Sequence, residues 1–196
     1  MQCAEKKKIT EYIERNMTEK RRIHTYAVAE EAKKLARRYG EDVEKAELAA
    51  LFHDFFRGVT EPVLNCYVRQ LGLAPVYLNN ANLAHGKIAA ILMERDYHVR
   101  DRDIINAVSY HTTGRADMSK LEKIIYLADA IEPNRSYPGV EEIRELAFEN
   151  LDEACLLSLS RCVDYVEGKG LYLDQDTVKA RDFLINNIEG KEKRDE

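Results

Sequence analysis

Apolar positions along this chain recur at helical spacing from end to end. After Thr18 the segment IHTYAVAEEAKKLARRYG places Ile23, Ala27, Val28, Leu35 and Ala36 on one stripe, and Gly40 stops it. Asp42 caps VEKAELAALFHDFF, predicted to run as helix to Gly58. Thr60, Glu61 and Pro62 open VLNCYVRQLG, with proline at its favoured first-turn position. ANLAHGKIAAILMERDY follows Leu73–Asn80, and Asp101 caps RDIINAVSYHTTG. Ser119 caps KLEKIIYLADAIEP, whose end is fixed by Pro133; GVEEIRELAFEN, LDEACLLSLSRCVDYVEGKG and DQDTVKARDFLINNIEG complete the series. IIYLADAI is rich in strand formers, but its serine cap and context favour a buried helix. The pattern predicts an all-α fold: one compact bundle of about ten helices and no strand. Short connections favour a single domain over 17–186, with a helix over 1–16 packed on it and a frayed, polar tail over 187–196.

Composition narrows this further. Nine glycines and four prolines in 196 residues argue against a disordered or linker-rich chain and against a turn-rich β-sandwich. The net charge of −5 is evenly spread and lacks the basic footprint of a nucleic-acid binder. The one cationic cluster, Lys6–Lys8 with Lys20–Arg22, alternates with apolar residues and reads as a solvated helix face. No segment has the apolar run of a signal peptide or a membrane span, so a cytoplasmic protein is expected. The four cysteines (Cys3, Cys66, Cys155, Cys162) form no CxxC pair and read as buried, inert thiols.

The chemistry concentrates in five histidines and a few carboxylates. His53–Asp54 ends the apolar run LAALFHDFF, where a charge is expensive to bury unless it is paired or binds a metal. Taken alone, the pair is better read as a hydrogen-bonded Asp and a satisfied core His. His24 lies 29 positions earlier on the preceding helix, His85 opens HGKIAAIL, His111 ends NAVSYHTTG, and Asp129 interrupts IIYLADAI. Each sits where an apolar helix meets polar sequence, and a bundle can gather them in its core. Imidazole with carboxylate suits iron, manganese, cobalt, nickel or zinc, and six ligands are too many for one zinc. His98, in DYHVRD, has no such setting and is expected to be exposed.

The order His24, His53–Asp54, Asp129 resembles the HD superfamily of metal-dependent phosphohydrolases. LFHDFFR, LAHGKIAA, HTTGRADMSKLEKIIYLADAIEPNRSYPGVEEIREL and RRIHTYAVAEEAKKLA are more specific. Together they resemble the YqeK-like bacterial family that hydrolyses diadenosine tetraphosphate symmetrically. The resemblance covers residues 17 to 186. It implies a two-metal centre, commonly iron, with His24, His53 and Asp129 on one ion, His85 and His111 on the other, and Asp54 bridging. It also implies a metal-activated hydroxide attacking a dinucleoside polyphosphate, with ADP or GDP as product-like ligands. Arg57 stands where lysine is common in the family, and Lys87 where proline is common. Arg57, Lys87, Thr112, Thr113, Gly114 and Arg135 lie close in sequence to the ligands and are the candidate phosphate contacts. A mononucleotide phosphohydrolase and a non-catalytic nucleotide- or metal-binding module are the alternative readings. A homodimer through the C-terminal helices remains open beside core packing of the same faces.

Overall fold

In a computed structural model of the chain, residues 2–195 are described, with side chains over 4–190. Among them are ten α-helices and no strand. In order these are α1 (Gln2–Asn16), α2 (Glu19–Tyr39), α3 (Val43–Phe52), α4 (Glu61–Gln70), α5 (Ala81–Asp96), α6 (Arg102–Tyr110), α7 (Lys120–Ile131), α8 (Val140–Glu149), α9 (Leu151–Gly168) and α10 (Gln175–Asp195). α10 stays helical through Asp195, while the side chains of 191–195 and all of 196 lie outside the described residues, as does the solvation expected of that tail.

Most helix starts are fixed by the residues that predict them. Thr18, Asp42, Asp101 and Ser119 each accept a hydrogen bond from a backbone N–H of the first turn they cap. Ser119 and Glu122 form a reciprocal capping box at α7. Glu122 is buried and also receives a two-pronged bond from Arg115 at 2.6 and 2.7 Å, which secures the loop after α6 to the start of α7.

α7 is the central element. Leu121, Ile124, Ile125, Leu127, Ala128 and Ile131 have no solvent exposure, and α2, α3, α6, α8 and α9 pack around them. A helix apolar on nearly every side has to be wrapped in this way.

Two segments depart from the expected helices, and both carry candidate ligands. α3 stops at Phe52 rather than near Gly58, and residues 53–58 form tight turns. Bonds from Phe55 N to Phe52 O and from Arg57 N to Asp54 O close the chain at three-residue spacing, and Gly58 adopts φ +87°. Nine consecutive residues, Leu48–Phe56, are buried; the tightened turn carries His53, Asp54, Phe55 and Phe56 inward together. Likewise α6 ends at Tyr110, and HTTG is a loop closed by Gly114 N on Tyr110 O at 2.7 Å.

The cysteines separate by position. Cys155 is buried, and burial pushes its thiol up, while Cys162 is half-buried on a cavity wall. Cys66 corrects the expectation of burial: α4 turns only Leu64 and Val68 fully inward, four apart, which leaves Cys66 exposed. The side chain of Cys3 lies outside the described residues.

Candidate metal centre

Five chain segments converge on one buried point. His24 comes from α2, His53 and Asp54 from the turn after α3, His85 from the start of α5, His111 from the end of α6 and Asp129 from α7. Their ligand atoms form two groups, His24–His53–Asp129 and Asp54–His85–His111, each with its atoms within 4.8 Å of one another. Asp54 joins them. Its Oδ2 lies 3.5 Å from His24 Nε2 and 3.4 Å from His53 Nε2, while its Oδ1 lies 3.2 Å from His85 Nε2. One carboxylate therefore presents an oxygen to each group.

The second ring nitrogen of each histidine is held from behind. His53 Nδ1 donates to Ala50 O at 2.6 Å and His111 Nδ1 to Val108 O at 2.7 Å. His24 Nδ1 meets Glu132 Oε1 at 3.1 Å, and His85 Nδ1 lies 2.9 Å from Ala81 O and from the Arg57 guanidinium. At His24, His53 and His111, donation from Nδ1 leaves Nε2 as a bare lone pair, whereas His85 Nδ1 faces both an acceptor, Ala81 O, and a donor, Arg57, and satisfies one of them at a time. His24 and His53 then aim Nε2 at one another across 3.3 Å beside two carboxylates, an arrangement that repels unless a cation lies between them. This donor set fits a transition metal, with nitrogen and carboxylate oxygen in each group.

The electrostatics agree. Burial pushes the Asp54 carboxyl up, but His53 and His85 outweigh it and hold the group far below the usual carboxylate range. Asp129 is likewise held down against its burial by His24, His53 and Arg135. Burial, with His85 and His53 alongside, pushes His111 down to about 3, which keeps it a neutral donor. His53 moves the other way: burial lowers it, and Asp54 more than compensates.

The candidate phosphate contacts do not share one fate. Arg135 bonds both the backbone oxygen and the carboxylate of Asp129 and lines two cavities that open on the centre. Thr112 Oγ1 lies 3.2 Å from His111 Nε2 and faces the first of these cavities. Arg57 is drawn to the start of α5, bonded to Asn82 Oδ1 at 2.6 Å, and supports His85 instead of facing open space. Lys87 is a correction: it is buried over the Tyr110 ring, 3.4 Å from the ring centre and 3.4 Å from Asp176, tying α5 to α10. Two residues along a helix turn a side chain through about 200°, so Lys87 leaves the helix on the face away from His85. Thr113 and Gly114 are also corrected. Thr113 is buried and bonds Gly114 O, while Gly114 packs near Ala180, Met118 and Leu159 at φ +64°.

Two charged residues at the centre escaped the sequence reading. Arg21, assigned to a solvated face, ion-pairs with Asp54 from the wall of the second cavity. Its place three residues before His24 on α2 is the signal that puts both on one face. Glu132 is buried behind His24 and also accepts from the backbone and side-chain nitrogens of Asn134. Glu132→Ala should weaken metal affinity about 10–100-fold, with Glu132→Gln recovering most of it because the amide oxygen still accepts. Competition against a chelator measures this, and unchanged affinity in the alanine variant would remove Glu132 from the centre.

The helical fold, the His–Asp turn and the paired donor groups define an HD-type hydrolase. The HD-domain family model matches residues 21–134. The chain is 39% identical over 176 residues to a Bacillus subtilis protein named symmetrical bis(5'-nucleosyl)-tetraphosphatase, covering 89% of this chain and 94% of that one. A Halalkalibacterium halodurans protein of the same name is 36% identical over 179 residues, covering 91% and 96%. A crystal structure from Clostridium acetobutylicum, described as a "predicted HD superfamily hydrolase involved in NAD metabolism", superposes with a TM-score of 0.87 at 40% identity over 92% of this chain and 97% of that one. This chain belongs to the HD-domain family, within the group of the symmetrical bis(5'-nucleosyl)-tetraphosphatases.

Proposed function

We infer that this protein hydrolyses diadenosine tetraphosphate and related dinucleoside polyphosphates symmetrically, releasing two nucleoside diphosphates. One observation carries the reading. Asp54 spans two buried histidine groups, and two cavities of about 870 and 820 Å³ reach those groups, one with His111 and Asp129 on its wall and the other with His24, meeting along Arg135. A tetraphosphate laid across that seam presents its middle to the ligands and one end to each cavity.

In this reading His24, His53 and Asp129 hold one metal ion, Asp54, His85 and His111 a second, and Asp54 reaches both. Iron is the foremost candidate, ahead of manganese, cobalt, nickel and zinc. Bound there, such ions supply Lewis-acid polarisation of phosphoryl oxygens and a water acidified towards neutrality. The chain's own residues do the positioning. Arg135 and Arg21 stand beside the two carboxylates and offer guanidinium donors to the non-bridging oxygens, and Thr112 offers a hydroxyl. Glu132 and the backbone at Ala50 and Val108 fix the histidine tautomers. Residues 17–186 form the catalytic unit, which works in the cytoplasm on a small nucleotide, without a nucleic-acid partner.

Separation of the products of metal-loaded protein tests this directly. The expected result is ADP alone, two per substrate consumed. ATP and AMP in equal amounts would overturn the symmetrical assignment, and activity confined to mononucleotides would favour the mononucleotide alternative.

A further inference from the structure

The two cavities that reach the metal ligands are chemically unlike. The first has an aromatic and aliphatic wall: Tyr126 and Ile143 within, Tyr137 and Tyr165 on the rim at 38% and 62% exposure. Exposed tyrosine rings beside a pocket give a nucleobase a face to stack on. The second cavity is the more polar: Lys20, Arg21, Asn134 and Ser136 offer hydrogen-bond donors suited to phosphate or sugar oxygens. Glu19 and Glu132 share the wall, with Glu132 already bonded to His24 and Asn134, and the apolar contribution is Ile23 and Tyr137. Lys20 is exposed and makes no ion pair among the described residues, so its charge is open to a ligand. Arg135 and Tyr137 line both cavities and form the seam between them.

We propose that the enzyme reads only one base of its dinucleotide. One nucleoside stacks in the aromatic cavity, and the other half is held in the cationic cavity by its phosphates, its base unread. This rests on the symmetrical-hydrolase reading and extends its substrate class to compounds with a single nucleoside. Adenosine 5'-tetraphosphate is such a compound. Water oxygen bonds to one of the two central phosphorus atoms, and the P–O bond between the central phosphates breaks. The bridging oxygen leaves with the other half, and ADP and pyrophosphate result. The extra charge of the free terminal phosphate falls where Lys20 and Arg21 stand.

Steady-state kinetics on four substrates test the proposal. Stacking strength favours the larger purine, by about tenfold here. With one base read, Ap4U stays within about twofold of Ap4A because one of its two orientations remains fully productive. Up4U then falls about tenfold, and adenosine 5'-tetraphosphate stays within about tenfold of Ap4A. With both bases read, the losses multiply: Ap4U falls about tenfold, Up4U about a hundredfold, and the single-nucleoside compound by more than that. Multiplying losses overturn the proposal, as do equal rates for Ap4A and Up4U, while leaving symmetrical cleavage intact. Products other than ADP from Ap4A overturn the reading beneath it instead. Tyr165→Ala, on an exposed rim position, should raise KM for Ap4A and Ap4U by the same factor and shrink the Ap4A-to-Up4U ratio towards one. An unchanged ratio would remove Tyr165, and with it the aromatic cavity, from base recognition.

Discussion

Asp54→Ala is expected to lower kcat/KM by about 10³–10⁴-fold, which corresponds to about 4–5.5 kcal/mol of transition-state stabilisation. Each of the other five ligands serves one group, whereas Asp54 has one oxygen on each side. Its removal therefore loosens both donor sets and also strips Arg21 of its carboxylate partner. Metal content should fall together with activity. His98→Ala makes the control: His98 is exposed at φ +60° just beyond the end of α5, and its loss should leave both quantities unchanged. Elemental analysis beside steady-state kinetics decides the matter. An Asp54→Ala protein that keeps its full metal complement would show that the carboxylate does not span the two groups.

Gly86→Ala is the second large effect, and it follows from space alone. A Cβ on Gly86 would lie 2.9 Å from His111 Cε1, 3.0 Å from His111 Nδ1 and 3.0 Å from Val108 O. The last two atoms are those that fix the His111 tautomer. Alanine therefore has to push α6 away from α5 or turn the imidazole off its ligand direction. A displacement near 1 Å costs about 10²-fold in rate when it moves a catalytic group. Stability should respond much less, since alanine gains about 1 kcal/mol of helix propensity against about 1–3 kcal/mol of overpacking. The informative result is this divergence, with activity down about a hundredfold and the thermal midpoint within a few degrees. Activity within threefold of the wild type would mean that the helices do not approach this closely in solution.

How much of this was legible in the chain depends on the kind of information required. Capping is local, so Thr18, Asp42, Asp101 and Ser119 mark helix starts without any knowledge of packing. Apolar context was enough to separate His98 from the other four histidines. The extent of helix α3 was not legible. Helical continuation and a tight turn both suit an apolar run, and only the need to bury nine consecutive residues selects the turn. Proximity in sequence proved a poor guide to cations. Lys87 is two positions from a ligand yet bonds α10, while Arg21 looked like solvated surface and contacts Asp54. Helical angle would have ranked both correctly, because three residues share a face and two do not. Glu132 was hidden differently: its role depends on α2 lying against the end of α7, a tertiary fact with no local mark.

The bonds from His53 to Ala50 O and from His111 to Val108 O use carbonyls of the last turns of α3 and α6, which have no partner inside their own helices. The stop of each helix and the protonation state of the ligand beyond it are thus one event. Because peptide carbonyls do the orienting, the side chains at 50 and 108 can drift within their packing limits without touching the chemistry. Helix length cannot drift. Adding or deleting one residue before His53 or His111 would turn the ring through about 100° and hand its Nδ1 a different carbonyl. The centre tolerates changes of letter at these positions and is intolerant of changes of count.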